Sequence, residues 1–171
     1  MSNRTRVSVL GATGSVGDST LSVMAEQAPG APDFEVIALT ANTNVDALAA
    51  AAIRTRAQVA AIADDKLYGQ LKALLSGTGV EAVAGADAVN ECAGRPADVV
   101  VAGIVGIAGL PPTLEAVRQG ARVALANKES MVCAGPLLRQ EAIRSGARFL
   151  PIDSEHNAIF QVLDRPQRVE K

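Results

Sequence analysis

A short polar cluster at residues 127–129, Asn-Lys-Glu, contains side chains that can bind the charged or polar parts of a small molecule. It directly follows the apolar run RVALA at residues 122–126. Lys128 is its only cation and can hold a substrate oxygen or a phosphate, while Asn127 and Glu129 can orient a ribose or a nicotinamide amide. An ordinary helix start, with Asn127 as the cap and Glu129 in the first turn, explains the same residues equally well.

A second polar cluster, Asp-Ser-Glu at residues 153–155, follows another strand-like run. Asp153 and Glu155 are two residues apart, so extended backbone points both carboxylates to one side. Two hard oxygen ligands on one side suit Mg²⁺ or Mn²⁺. The alternative is again a helix start with Asp153 or Ser154 as the N-cap, which the residues alone favour slightly. His156, the only histidine, is expected to pack or support rather than to bind a metal.

A glycine-rich stretch at residues 6–17, RVSVLGATGSVG, is typical of a dinucleotide-binding turn. Gly11 allows a sharp turn where a strand ends, Gly14 allows backbone to approach a pyrophosphate, and Gly17 allows the next helix to lie close to the sheet. The free N–H groups of residues 13–16, at the positive end of that helix, would face the phosphates. A purely structural strand, turn and helix is the alternative.

The end of the second predicted strand indicates which dinucleotide is bound. An NAD site usually has Asp or Glu there to bind the ribose 2′-hydroxyl, whereas this chain has Asn42, Thr43 and Asn44. Because no carboxylate is present to repel a 2′-phosphate, NADP is favoured over NAD. A polar turn that caps the helix from Val45 explains Asn42 and Asn44 about as well.

Strands and helices alternate along the chain, which predicts an α/β fold of the Rossmann type: a doubly wound, mostly parallel sheet with helices on both faces. The predicted strands are residues 6–10, 34–39, 58–63, 80–84, 98–102, 122–126 and 148–152. The predicted helices are residues 15–28, 45–54, 64–75, 86–93, 112–119 and 137–145. Since ligands bind at the carboxyl ends of parallel strands, we expect both polar clusters and the glycine turn to open onto one cleft. The charged tail at residues 164–171 is expected to fray.

Composition excludes several kinds of partner. The net charge of the 171 residues is −2 with both signs mixed along the chain, so no basic surface for nucleic acid is expected. No apolar run reaches membrane-spanning length and no signal peptide precedes the first strand, so we expect a soluble, cytoplasmic protein. Cys92 and Cys133 lie far apart and form no metal motif; each is expected to be a small core residue in a reducing compartment.

Four segments together resemble the 1-deoxy-D-xylulose 5-phosphate reductoisomerase family. They are LGATGSVG, AGIVGIAGL, LANKES and PIDSEHNAIFQ, and the similarity runs from about residue 7 to residue 163. The resemblance implies an NADPH-dependent, divalent-metal-dependent enzyme that converts 1-deoxy-D-xylulose 5-phosphate to 2-C-methyl-D-erythritol 4-phosphate in the non-mevalonate route to isoprenoids. It implies Mg²⁺ or Mn²⁺ as the metal, a ketose phosphate as substrate and a homodimer as the full-length enzyme.

The resemblance also assigns a role to each matching residue. Lys128 and Glu155 are implied as catalytic, and Lys128, Ser154 and Glu155 as substrate-binding. Asp153 and Glu155 are implied as metal ligands. The cofactor-binding residues implied are Gly11, Thr13, Gly14, Ser15, Val16, Asn42, Thr43, Asn44, Asn127 and Glu129.

Two departures from the family pattern qualify these roles. Family members often have a lysine in the loop that reads Asn42-Thr43-Asn44 here, which weakens the expected preference for NADPH. Family enzymes are also roughly twice as long, and the missing part supplies a third acidic metal ligand, the groups that hold the substrate phosphate and a lid. The resemblance therefore divides the chain into an NADPH-binding domain at residues 1–151 and the start of a truncated catalytic domain at 152–171, inactive alone.

Two other functions remain open at this point. A non-catalytic dinucleotide-binding module or subunit would explain the short chain, although not the two polar clusters at strand ends. A dehydrogenase acting on an acyl phosphate would share the glycine turn but would need a nucleophilic cysteine, for which Cys133 is the only candidate.

Overall fold

The computed structural model describes residues 4–26 and 33–162, which form a single seven-stranded sheet. Every strand pairing in it is parallel, and the strand order is β4-β3-β2-β1-β5-β6-β7. The strands are β1 Thr5–Leu10, β2 Phe34–Ala41, β3 Val59–Ile62, β4 Glu81–Ala84, β5 Val99–Ala102, β6 Arg122–Leu125 and β7 Arg148–Pro151. The predicted doubly wound α/β fold is confirmed, and all seven predicted strands are present within two residues of their predicted ends.

Helices cover both faces of the sheet. They are α1 Ser15–Ala25, α2 Val45–Thr55, α3 Tyr68–Leu74, α4 Ala86–Gly94, α5 Leu110–Arg118, α6 Lys128–Ser145 and α7 Ser154–Val162. Helices α1 to α3 pack on one face around Leu21, Leu48 and Leu71, and α4 to α6 pack on the other around Val117 and Leu138. Since the chain crosses from one face to the other after β4, β1 and β5 become neighbours and define the switch point where such folds bind dinucleotides.

The core is built from small aliphatic side chains. Strand β1 buries Val7 and Val9 toward one face and Leu10 toward the other, and β5 does the same with Val101 and Val100. This two-sided burial is the reason these strands read as continuous apolar runs rather than alternating ones. Alanines let the helices lie close to the sheet, which brings the helix ends near the strand ends that carry the polar clusters.

Helix α6 begins nine residues earlier than predicted. The sequence predicts a helix from Leu137, but the helix runs from Lys128 with a break at Ala134, where φ is −137° and ψ is 24°. The break explains how a proline fits inside the helix, because Pro136 falls in the first turn of the second half, where its missing N–H is tolerated. The helix start at Asp153 or Ser154, which the residues alone favour slightly, is present as α7.

One of the two cysteines is not the core residue that the sequence predicts. Cys92 is buried as expected, and burial raises the pKa of its thiol to about 11. Cys133 is exposed on α6, so it is not a core residue.

Over residues 4–26 and 33–162, none of the helices combines the length and apolarity needed to cross a membrane. The predicted fraying of residues 164–171 lies outside the described residues.

Candidate functional site

The glycine turn after β1 has the geometry that its sequence predicts. Gly11 has a φ of +80°, a conformation that side chains disfavour, and its carbonyl oxygen accepts the N–H of Gly14 at 3.1 Å. A Cβ on Gly17 would collide with the Gly11 carbonyl and the Ala12 backbone, so α1 passes directly over the turn. A Cβ on Gly11 would lie 3.0 Å from the Gly103 carbonyl at the end of β5. The turn is thus held between α1 and the switch-point strand.

Three backbone amides of this turn are available to a ligand. No described residue accepts a hydrogen bond from the N–H of Thr13, Ser15 or Val16, whereas the N–H of Gly14 is used inside the turn. The sequence-based expectation of four free amides at residues 13–16 is therefore corrected to three. They lie at the N-terminus of α1, where the helix dipole also favours an anion.

A cavity of about 410 Å³ adjoins these amides between α1 and α2. The glycine turn forms one wall through Thr13, Gly14 and Ser15, and α2 forms the other through small alanines. Asp18 and Arg54 are the charged side chains in its lining. Neither was singled out from the sequence, because their positions on helix surfaces look like ordinary solvated ones.

Asn42, Thr43 and Asn44 lie exposed at the end of β2, as predicted for residues that contact a cofactor. The side chain of Asn44 accepts the N–H of Ala47 at 3.2 Å and so caps α2. The capping alternative is therefore observed for Asn44, while Asn42 and Thr43 are exposed and carry no negative charge. Contacts from this loop to a ribose phosphate stay a prediction.

Asn127 is buried, and its side chain connects the loop after β5 to the start of α6. Its side chain is 3% exposed, and its Nδ2 donates to the carbonyl oxygens of Ile104 at 2.6 Å and Gly106 at 2.8 Å. Its Oδ1 accepts the N–H of Ser130 at 3.1 Å and caps α6. Because all of these bonds are made within the protein, a cofactor contact from Asn127 falls to its backbone, and that role stays a prediction.

Lys128 and Asp153 line one cavity of about 930 Å³, which confirms that the two polar clusters meet. The cavity lies at the carboxyl ends of β6 and β7, and its walls are mainly apolar, with Met131, Phe149 and Ile159 among them. Glu129 is exposed in the first turn of α6, so the helix-start explanation of the first cluster also holds. Cys133 does not line this cavity, which removes the support for a cysteine-dependent dehydrogenase.

Asp153 serves as the cap of α7. Its Oδ1 accepts the N–H of His156 at 2.9 Å and lies 2.6 Å from Nδ1 of the same residue. These contacts, the backbone one first, hold the pKa of the Asp153 carboxyl below its ordinary value, so the group is charged at neutral pH. His156 therefore supports an acid rather than standing as a ligand of its own.

The rest of the second cluster is only partly described. Ser154 is exposed at the start of α7, and the side chain of Glu155 lies outside the described residues, so its predicted metal and substrate roles stay predictions. In the part of the chain that the structure describes, no three His, Cys, Asp or Glu side chains are grouped so that they could hold one metal ion.

The glycine turn and Lys128 line different cavities, and the predicted single cleft stays a prediction. The two cavities share no lining residue. Strand β5 lies between β1 and β6, so the glycine turn and Lys128 are two strand spacings, roughly 10 Å, apart along the carboxyl edge of the sheet. A ligand that occupies both must extend across the carboxyl end of β5.

Comparison with known proteins relates this arrangement to one family. A family model for 1-deoxy-D-xylulose 5-phosphate reductoisomerase matches residues 7–135. Relatives of that name include one from Sinorhizobium medicae, 53% identical over 163 residues, and one from Rhodospirillum centenum, 55% identical over 162. These matches cover 95% of this chain but only 41% and 40% of the relatives, so the chain spans about two fifths of their length.

Solved structures of reductoisomerases are also similar to this chain. The Zymomonas mobilis reductoisomerase in complex with NADPH has a TM-score of 0.91 and 53% identity, covering 95% of this chain and 42% of that one. A reductoisomerase complex with NADPH, fosmidomycin and magnesium has a TM-score of 0.86 and 41% identity, covering 93% and 39%.

Proposed function

Because this chain belongs to the 1-deoxy-D-xylulose 5-phosphate reductoisomerase family, we propose that it forms the NADPH-binding part of such an enzyme. The full-length protein would convert 1-deoxy-D-xylulose 5-phosphate to 2-C-methyl-D-erythritol 4-phosphate with NADPH and Mg²⁺ or Mn²⁺. It would act as a cytoplasmic homodimer. The observation that carries the proposal is the set of three amides at the N-terminus of α1, of Thr13, Ser15 and Val16, for which no described residue is an acceptor.

These amides fit a dinucleotide pyrophosphate. Thr13 and Val16 are half-buried and Ser15 is exposed, and an anion at the helix N-terminus satisfies their N–H groups while it also interacts with the helix dipole. A cavity of about 410 Å³ adjoins the amides, and Asn42 and Thr43, exposed at the end of β2, carry no negative charge to repel a 2′-phosphate. Both features support NADPH, a ligand that the Zymomonas mobilis relative binds.

The second cavity fits the chemical step. Lys128 supplies a cation for substrate oxygens, and the carboxylate of Asp153 supplies a hard ligand that remains charged at neutral pH. A divalent ion, when bound, would polarise the substrate carbonyl and stabilise negative charge on it. Ser154 and Glu155, next to Asp153 in the chain, are proposed to complete the contacts to substrate and metal.

This chain is proposed to bind NADPH without turning over substrate. It covers about two fifths of its relatives, and the described residues offer no complete metal cluster. We place the boundary of the cofactor domain after residue 151, so that residues 152–171 begin the catalytic domain. The large apolar share of the Lys128 cavity is consistent with a surface that the rest of a longer chain covers.

The test has two parts. Titration calorimetry of the 171-residue chain should detect NADPH binding, and replacement of Gly14 by Val, which places a bulky side chain at the turn, should abolish it. An assay with 1-deoxy-D-xylulose 5-phosphate, NADPH and Mn²⁺ should show no NADPH oxidation above buffer. Absence of NADPH binding would refute the first part of the proposal, and substrate-dependent oxidation would refute the second.

A further inference from the structure

We propose that the hydroxyl of Thr40 is a positioning group for the pyrophosphate-binding turn. Thr40 is the next-to-last residue of β2. In the sequence it is only a polar residue near the end of an apolar strand, and nothing there indicates a role. The inference rests on the proposed binding of a dinucleotide and adds to it a residue that acts through Gly11 rather than by touching the ligand.

Thr40 holds two successive amides of the turn. Its Oγ1 accepts the N–H of Gly11 at 3.0 Å, and its carbonyl oxygen accepts the N–H of Ala12 at 2.7 Å. The residue is 1% exposed, so no water competes for these bonds. Thr40 thus binds the turn through its side chain and its backbone at once.

The side-chain bond is needed because the backbone turns at Gly11. In a regular parallel strand, successive N–H groups point to opposite neighbours, so β2 would receive only one of two successive amides. With a φ of +80° at Gly11, the amides of Gly11 and Ala12 both reach Thr40, and its carbonyl oxygen binds only the second. Without the hydroxyl, the half-buried N–H of Gly11 would have no acceptor among the described residues.

The orientation of Gly11 is transmitted to the amides that face the ligand. The Gly11 carbonyl accepts the N–H of Gly14, and Gly14 in turn accepts the N–H of Asp18 at 2.8 Å as the first bond of α1. The Thr40 hydroxyl holds the Leu10–Gly11 peptide and the Thr40 carbonyl holds the Gly11–Ala12 peptide, so the two bonds together fix the backbone conformation of Gly11. Since Thr13 and Ser15 flank Gly14, a change in that conformation would turn their N–H groups away from a common anion. Preorganised donors are worth more than mobile ones, because no ordering cost is paid on binding.

Thr40 allows a clean substitution. Valine has nearly the shape of threonine, so Thr40→Val removes the hydroxyl and keeps the buried volume, while Thr40→Ser keeps the hydroxyl and removes a methyl group. The two variants therefore separate the hydrogen bond from the packing. Adenosine 2′-monophosphate has no pyrophosphate, so its affinity reports on the rest of the proposed cofactor site without the contribution of the turn.

The experiment measures dissociation constants of wild-type chain, Thr40→Val and Thr40→Ser for NADPH and for adenosine 2′-monophosphate, together with amide hydrogen exchange of Gly11 by NMR. Thr40→Val should weaken NADPH binding about tenfold, leave adenosine 2′-monophosphate binding within twofold and accelerate exchange at Gly11. Thr40→Ser should restore both the NADPH affinity and the protection of Gly11.

The outcomes separate the two proposals. If the wild-type chain binds NADPH and Thr40→Val binds it equally well, the positioning role of Thr40 is wrong and the proposed function stands. If Thr40→Ser is as weak as Thr40→Val, packing rather than the hydroxyl is responsible, which also overturns the inference. A wild-type chain with no affinity for NADPH refutes the proposed function itself.

Discussion

The side-chain amide of Asn127 donates a hydrogen bond to the carbonyl oxygen of Ile104 at 2.6 Å and thereby joins the loop after β5 to the start of α6. Ile104 follows Gly103, whose N–H donates to the Leu10 carbonyl at 2.9 Å at the end of β1. A continuous series of contacts therefore leads from the glycine turn to Lys128. The loop after β5 is thus hydrogen-bonded both to the end of β1 and to the start of α6.

Replacement of Asn127 by Ala should destabilise the chain strongly. It removes the cap of α6, worth about 1 kcal/mol, and leaves the Ile104 carbonyl oxygen without its donor, at about 1–3 kcal/mol, whereas Gly106 still accepts the N–H of Gly109. We expect a loss of about 2–4 kcal/mol in the free energy of unfolding, measured by urea denaturation. Glu129→Gln, two residues further along and exposed, is the control and should cost less than 1 kcal/mol. Equal losses would contradict the structural role of Asn127.

Two glycine-to-alanine substitutions should have opposite effects on stability. At Gly17 the added Cβ meets the backbone of Gly11 and Ala12, and we expect a loss of about 1–3 kcal/mol together with weaker NADPH binding. At Gly69, in α3, a Cβ has no neighbour within 4 Å, and alanine should stabilise the chain by about 0.5–1 kcal/mol. Thermal unfolding and NADPH titration of both variants test this pair; a neutral Gly17→Ala would show that α1 can move off the turn.

A carboxylate at the end of β2 should change the cofactor preference. Asn42→Asp places a negative charge where the 2′-phosphate of NADPH is proposed to lie, while the ribose 2′-hydroxyl of NADH can donate to it. The affinity for NADPH should fall about tenfold and that for NADH should hold or rise. Asn42→Ala is the uncharged control and should affect both cofactors alike. An unchanged ratio of the two dissociation constants for Asn42→Asp would place the 2′-phosphate elsewhere.

Asp153→Asn should remove divalent-metal binding while it preserves the fold, because asparagine is as good an N-cap as aspartate. Mn²⁺ added to the wild-type chain should broaden the NMR signals of residues near Asp153, and the substitution should abolish that broadening. Urea denaturation of both chains should give similar midpoints. Persistent broadening in the variant would rule out Asp153 as a ligand.

The two cysteines should differ in reactivity and in their effect on stability at high pH. A thiol reagent should modify exposed Cys133 in the folded chain and reach Cys92 only in denaturant. Burial raises the pKa of Cys92 from 9.0 to about 11, so between these pH values the folded state keeps a proton that the unfolded state releases. The free energy of unfolding is therefore unaffected below pH 9 and falls as the pH rises toward 11. The loss should be about 2–3 kcal/mol. Cys92→Ala should flatten this pH dependence, and Cys133→Ala should leave it unchanged.

Local residue patterns determined most of the elements of this protein. β-branched runs such as residues 98–102 can only be buried strands, and Gly11, Gly14 and Gly17 define a turn because steric limits on the backbone act within a few residues. The family could also be recognised from four short segments. The extent of α6 could not: Asn127 as a cap was one of two alternatives for residues 127–129, and only the conformation of Ala134 shows how the helix continues past Gly135 and Pro136.

Tertiary structure decided everything that depends on which strands become neighbours. The order of the sheet separates β1 from β7, so the glycine turn and Asp153 open onto different cavities, which no spacing along the chain reveals. The burial of Asn127 and the bond from Gly11 to Thr40 join residues more than 20 positions apart. Such contacts depend on the packing of whole elements, whereas the pattern of a single segment reports only its own conformation and its buried face.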